Sequence, residues 1–394
     1  MISSGKWWRR EEILLLLMAI AVPLSFAAWQ TLLNNFAIEK AAFTGREIGI
    51  LQSLREVPGF LAFGVVFLLL LVREQKLAYI SLLLLGVGTA LTGFFPSVIG
   101  LYLTTVLMST GFHYYETLQS SLTLQWIEKE HTAEVLGKLI AAGSLASIVT
   151  FGLIWFGDKL LQLEYRWLFL FMGALTVAIS LTVWLLYPHF PEKTEQHKHM
   201  VMRRRYWLFY ALTFMSGARR QVFVVFAGFL MVEKFGYSVA DIALLFVINA
   251  SLNVVFARRI GKLIGRIGER NALLLEYGGL ILVFCGYALV EQANVAAGLY
   301  ILDHLFFAMA IALKTYFQKI AEPKDIASTA GVSFSINHIA AVVIPAAFGL
   351  LWLVSPALVF FLGAAMATVS LLLSLLIPEQ PQPGRETRLA PVVV

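Results

Sequence analysis

HFPEKTEQHKHMVMRRR, residues 189–205, is the longest polar stretch between apolar runs in this chain, and it falls at the midpoint of 394 residues. Working outward, six apolar segments precede it, at about 13–35, 47–72, 77–95, 98–125, 136–156 and 166–187. Six more follow, at about 206–232, 240–257, 271–290, 297–318, 329–353 and 357–377. Crossing a bilayer core takes about 20 apolar residues per helix, which these segments supply. Composition agrees: 59% of residues are hydrophobic and 14% charged, with a mean hydropathy of +0.79. A soluble domain carries roughly 25% charged residues, so the solvent for most of this chain is lipid. The predicted fold class is an all-α membrane protein of about twelve transmembrane helices. Its predicted parts are a six-helix bundle over 1–188, a linker over 189–205, a second bundle over 206–378 and a disordered, Pro-rich tail over 379–394.

Two bundles joined by a hydrophilic linker are the arrangement of a duplicated transporter. Nearly every residue lies in or between spans, which leaves no room for a soluble catalytic domain. Lys6, Arg9 and Arg10 precede the first apolar run in the manner of a signal peptide, but that run continues to about Leu33, so it is read as a retained first span. With the N-terminus inside, twenty-one Lys and Arg fall on the cytoplasmic side, from Lys6 to Arg388. Only Lys40, Arg46, Lys159, Arg166 and Lys234 fall outside. This bias accounts for a net charge of +6 without nucleic acid, puts both termini in the cytoplasm and requires an even number of spans. The expected location is the bacterial inner membrane, multi-pass and as a monomer. Trp7 and Trp8 are read as interface anchors. The single cysteine, Cys285, excludes a disulfide framework. His189, His197 and His199 sit in a solvated linker that cannot fix metal geometry. No cofactor is expected.

The segment Gly261-Lys-Leu-Ile-Gly-Arg-Ile-Gly-Glu-Arg270, between spans eight and nine, resembles the loop signature of the major facilitator superfamily, G-x-x-x-D-R-x-G-R-R. Gly261, Arg266, Gly268 and Arg270 match, and Gly265 stands where the acid would be. The first-half counterpart, Val72 to Lys76, lacks the pattern, as span five lacks the antiporter Pro-Gly pattern. Ile344-Pro345-Ala-Ala-Phe-Gly349 resembles the family's bend in span eleven. The resemblance implies two pseudo-symmetric bundles around a central cavity that opens alternately to each side. It also implies a gating role for the 261–270 loop, and a cavity lined by spans one, four, seven and ten.

A charge at the bilayer centre costs on the order of 3 kcal/mol or more, so ionisable residues inside spans are functional candidates. Span seven carries Arg219, Arg220 and Gln221 about halfway along. Their reading is a clamp for an anionic group, since guanidinium binds carboxylate or phosphate in bidentate fashion; the bland alternative is an ion pair with another helix. Span two carries Arg55 and Glu56, either a binding or proton-carrying pair or a lock at the outer gate. Span four carries His113, Tyr114 and Glu116, with His113 and Glu116 on one face. Span ten carries Asp303 and His304, and span eleven carries Asn337 and His338. Arg219, Arg220, Arg55, His113, Tyr114, Gln221, Asn337 and His338 are thus substrate-binding candidates, and Glu56, Glu116, Asp303 and His304 proton-coupling candidates. Span nine adds Glu276, which lies close enough to its inner end to be solvated. The expected function is a secondary transporter of a small anionic or zwitterionic solute, coupled to protons by alternating access. The alternative is a proton-driven exporter of bulky amphipathic compounds. No ATP-binding motif and no H-E-x-x-H metal spacing occurs, so an enzyme is not expected.

Overall fold

The computed structural model describes residues 10–61, 65–69, 71–127, 129–191, 202–322 and 325–389. Most of the linker, Trp7, Trp8, His197 and His199 therefore lie outside the described residues. The first-half helices are α1 (Glu11–Ala41), α2 (Gly45–Phe60), α3 (Val65–Leu69), α4 (Glu74–Thr92), α5 (Val98–Trp126), α6 (Lys129–Lys159) and α7 (Tyr165–Leu186). The second half begins with a 3₁₀ turn at Arg204–Tyr206, then α8 (Trp207–Gln221), a π-helical turn at Val222–Ala227 and α9 (Gly228–Glu233). After these come α10 (Val239–Leu289), α11 (Ala293–Phe307), a 3₁₀ turn at Ala308–Ala310, α12 (Ile311–Ile320), α13 (Ile326–Trp352) and α14 (Pro356–Ser374). The only β pairing among the described residues is an isolated bridge between Gln382 and Arg385.

Ten helical stretches among the described residues are long and apolar enough to cross a membrane. The two expected segments not among them are 47–72 and 98–125. The second is nonetheless one 29-residue helix, α5, whose apolar character is diluted by its Ser, Thr, His and Glu content. In the first, α2 ends at Phe60 and α3 begins at Val65, with 62–64 outside the described residues. Helix α10, over 51 residues, holds two spans of membrane-crossing length, Val239–Phe256 and Arg259–Leu289. Its backbone breaks at Gly268, which takes φ 79° and ψ 160°, a conformation open essentially to glycine alone.

Two compact units emerge, and their borders depart from the midpoint of the sequence. One holds residues up to 43, then 54–196 and 238–247; the other holds 44–53, 197–237 and 248 onward. In the first unit α4 packs between α5 and α7. A Cβ on Gly173 would come within 2.4 Å of the Gly86 carbonyl oxygen, and one on Gly111 within 2.4 Å of the Ser81 carbonyl oxygen. Small residues let helices approach closely where lipid gives no hydrophobic drive to associate. Hydrogen bonds add to this: Ser25 Oγ donates to Thr176 Oγ1 at 2.7 Å, and Ser180 Oγ to the Tyr79 carbonyl at 2.9 Å. In the second unit residues 44–53 of α2 lie against α13. A Cβ on Gly49 would come within 2.3 Å of the Pro345 carbonyl oxygen, and Ala346 N donates to Ser53 Oγ at 2.9 Å.

The tail is described up to residue 389; 390–394 lie outside the described residues. Glu379 pairs with Arg388 at 3.0 Å and with Arg270 at 3.7 Å. Tyr316 OH donates to the Glu386 carbonyl at 2.6 Å, Arg388 N donates to the Leu376 carbonyl at 2.7 Å, and Gly384 turns the chain at φ 81°. A Pro-rich composition lowers apolar drive, but these polar anchors hold the segment in place.

Candidate functional site

In the first unit, Arg55 and Glu56 are buried neighbours, and the Arg55 guanidinium donates to the Glu56 carboxylate. Ser109 Oγ of α5 donates to the Arg55 carbonyl, which fixes this turn of α2 against α5. Pro58 within α2 supplies no N–H to the Leu54 carbonyl one turn back. One turn along α5 from Ser109, His113 is buried, with Nδ1 4.0 Å from Glu116 Oε2, and its ring meets Phe112 edge-on. The Glu116 carboxylate is about half exposed and Tyr114 half-buried.

The second unit carries the denser set of charges. Arg219, at the end of α8, is 1% exposed; its Nη2 donates to Glu276 Oε1 of α10 at 3.0 Å, and Glu276 is 0% exposed. The guanidinium carbon lies 4.7 Å from the Tyr277 ring centre, a cation–π contact on the same helix as the acid. Expected to be solvated, Glu276 is instead fully enclosed. It lies eight residues, about 12 Å of helix rise, beyond the Gly268 break, which carries it away from the helix end. Asp303 of α11 is 2% exposed.

Arg220 turns the other way. It is exposed, with its guanidinium carbon 5.3 Å from the Phe307 ring of α11. Consecutive helical residues point about 100° apart, which separates the enclosed arginine from the open one. On α11, His304 stacks with Tyr300 at 6.2 Å between ring centres and meets Phe223 at 5.9 Å. Gln221 is buried, and its Oε1 has no hydrogen-bond partner among the described residues. Asn337 is exposed on α13 and crosses α8 at Gly217, where a Cβ would come within 2.6 Å of its Oδ1. His338 Nδ1 lies 2.9 Å from the Phe334 carbonyl.

Two of the helices bearing these groups, α8 and α11, give way to irregular turns beside them. The π-helical turn at Val222–Ala227 follows directly on Arg219-Arg220-Gln221, and the 3₁₀ turn at Ala308–Ala310 follows Asp303 by one turn. Such departures in mid-span concentrate at functional sites and hinges. Glu276, Tyr277, Tyr300, Phe223 and Phe307 are absent from the sequence-derived set. Aromatic residues in spans carry no signal that separates a ligand-facing ring from a packing one.

In the 261–270 segment, Gly268 makes the backbone break, Arg270 pairs with Glu379, Arg266 is exposed, and a side chain at Gly261 would meet open space.

The sequence model of the Major Facilitator Superfamily matches residues 13–345. A mutant form of the nucleoside transporter NupG superposes with a TM-score of 0.78 at 14% identity, covering 93% of this chain and 99% of that one. A bacterial homologue of the human lysosomal transporter Spinster, inward-facing and unoccupied, superposes with a TM-score of 0.70 at 13% identity, covering 93% and 94%. At such identities the likeness is one of fold. No curated protein matches the sequence. A matched stretch covering most of the chain, an all-helical build and many membrane-length apolar helices have one reading: this is a multi-pass membrane transporter, not an enzyme, and it belongs to the Major Facilitator Superfamily.

Proposed function

We propose that the chain is a proton-coupled secondary transporter of a small anionic or zwitterionic organic solute, working by alternating access between its two halves. The observation that carries this reading is the split of the two arginines. Arg219 is enclosed with Glu276, whereas Arg220, about 20 Å along its span from Trp207, is an exposed residue with its guanidinium carbon over the Phe307 ring. An arginine facing hydrocarbon at that depth costs on the order of 3 kcal/mol or more, so its open side faces water, where it can hold a carboxylate or phosphate. In this reading Asn337, which meets the same helix at Gly217, and the ring pair Tyr300–His304 supply polar and stacking contacts to the solute. Asp303 and the first-half acids Glu56 and Glu116 are the proton carriers in this reading. Proton and solute then bias one equilibrium between two bundle orientations through their different affinities for the two.

The ring cluster Phe223–Tyr300–His304 supports a second reading, a neutral solute with a planar ring. One structural neighbour is a nucleoside transporter, and such a solute would have that chemistry. A thermal-shift panel of carboxylates, amino acids, nucleotides and nucleosides on the purified protein separates the two. The first reading expects hits among anions that disappear in Arg220→Ala. Hits confined to nucleosides and retained in Arg220→Ala establish the second.

A further inference from the structure

In the second unit, the two sides of the Gly268 break are held very differently. Before it, Arg259, Lys262 and Arg266 are exposed and form no ion pair among the described residues. A Cβ on Gly261 or Gly265 would meet open space there. After the break, the first two residues are each tied to another element. Glu269 is 4% exposed, and Lys319 Nζ of α12 lies 2.7 Å from its Oε1. Arg270 pairs with Glu379 of the tail at 3.7 Å. The tail closes the ring. Tyr316 and Lys319 lie three residues apart on one face of α12, and the buried Tyr316 OH donates to the Glu386 carbonyl at 2.6 Å. Lys319 thus joins α12 to α10, Tyr316 joins α12 to the tail, and Glu379 joins the tail to α10. The tail reaches both because it folds back on itself. Gly384 turns it at φ 81°, Gln382 and Arg385 bridge, and Arg388 returns to the end of α14. There the Arg388 N–H donates to the Leu376 carbonyl at 2.7 Å, and its guanidinium meets Glu379 at 3.0 Å.

These bonds bind three segments distant in sequence: 269–270, 316–319 and 379–388. A few residues at the end of an element absorb the backbone change of a hinge, and a chain that bends at one glycine moves on the side that is less tied. We infer that the tail is a clamp: it fixes the far side of the Gly268 break to α12, so that the arm before the break, 259–267, is the part that swings. The clamp is built to be released. Glu379 is exposed, so water and salt screen its pairs with Arg270 and Arg388, and exposed pairs of this kind contribute little each. The Tyr316 bond is enclosed and gives the clamp its register. The tail therefore stiffens one side of the break without welding it. This goes beyond the transporter reading and is independent of the solute class.

Hydrogen–deuterium exchange on the purified full-length protein, read by mass spectrometry, tests it without any solute. In wild type, 259–267 is expected to exchange faster than 269–275 and 314–321. Glu379→Gln combined with Tyr316→Phe should raise exchange in 269–275 and 314–321 by about fivefold, the effect of losing one ordinary net hydrogen bond. Residues 74–80, the corresponding helix start in the first unit, should not change. Raising sodium chloride from about 0.05 M to about 1 M should raise exchange at 269–275 in wild type and add nothing in Glu379→Gln, because salt and the variant remove the same attraction. Exchange unchanged at 269–275 and 314–321 in the double variant overturns the clamp. So does an equal rise at 74–80, which would make the tail a contributor to global stability alone. Should the double variant fail to fold, Glu379→Gln and the salt series decide. A failed solute panel leaves this result untouched, so the two readings fail separately.

Discussion

At the scale of single residues, the sharpest contrast is between Arg219 and Arg220, adjacent in sequence and opposite in environment. Breaking a buried ion pair by removing one partner leaves an uncompensated charge and costs about 3–5 kcal/mol. Arg219→Ala and Glu276→Ala are therefore expected to lower Tm by many degrees in detergent. Arg220→Ala should move Tm far less, because Arg220 is exposed and water screens its charge. A second prediction concerns Asp325, beyond the end of α12. Side-chain hydrogen bonds from Arg203, then burial in the opposite sense, then the Tyr206 hydroxyl and further Arg203 and Arg205 charge hold its carboxyl below the ordinary carboxylate range. Arg203 donates to it through Nε at 3.0 Å and Nη2 at 3.1 Å. A depressed folded value means that the stabilisation is present above the unfolded value and disappears as pH falls through the folded one. The Tm difference between wild type and Asp325→Asn should be steady above about pH 5 and shrink below about pH 4. The sequence disclosed that Arg219, Arg220, Asp303 and His304 sit at membrane depth, because apolar runs mark depth well. It could not disclose which arginine is enclosed, since that depends on helix rotation and on Glu276 from another span. Depth is a one-dimensional property and enclosure is not.

At the scale of elements, the spans were legible from hydropathy, but their interruptions were not. The π-helical turn after Gln221 and the 3₁₀ turn after Phe307 occupy stretches of ordinary apolar sequence, Val222–Ala227 and Ala308–Ala310, with no Pro or Gly at the break itself. Helix starts, by contrast, were written locally. Thr44 and Glu47 open α2 with the Thr44 amide donating to Glu47 at 2.9 Å, and Ser238 and Asp241 open α10 with the same bond at 2.9 Å. These are capping boxes at corresponding positions of the two halves. A third prediction concerns Gly268, which takes φ 79°. Gly268→Ala would hold a side chain in a region that costs about 1–3 kcal/mol. It should lower Tm, whereas Gly261→Ala and Gly265→Ala, where a Cβ meets open space, should not. Equal stability of all three variants would remove Gly268 from its role as the break in α10.

At the scale of the whole molecule, the recurrence of long apolar runs pointed to an all-helical membrane protein before any contact was known, because in lipid the backbone has few options other than helices. The tail makes single polar contacts to Arg270, Tyr316 and Leu376, which composition does not reveal. Removing residues 379–394 is therefore expected to lower Tm by a few degrees while leaving the protein folded. The proposed topology has its own test. In a Cys285→Ala background, Gln162→Cys and Gln196→Cys should react with an impermeant maleimide from opposite faces of the membrane. Labelling of both from one face would overturn the orientation. The most direct test of the central claim, that enclosed acids couple protons to a solute held at Arg220, uses proteoliposomes with a pH dye inside and the strongest thermal-shift hit outside. The account predicts solute-dependent proton entry in wild type that falls at least tenfold in Asp303→Asn and in Arg220→Ala. Solute uptake without proton entry, or proton entry undiminished in both variants, would contradict it.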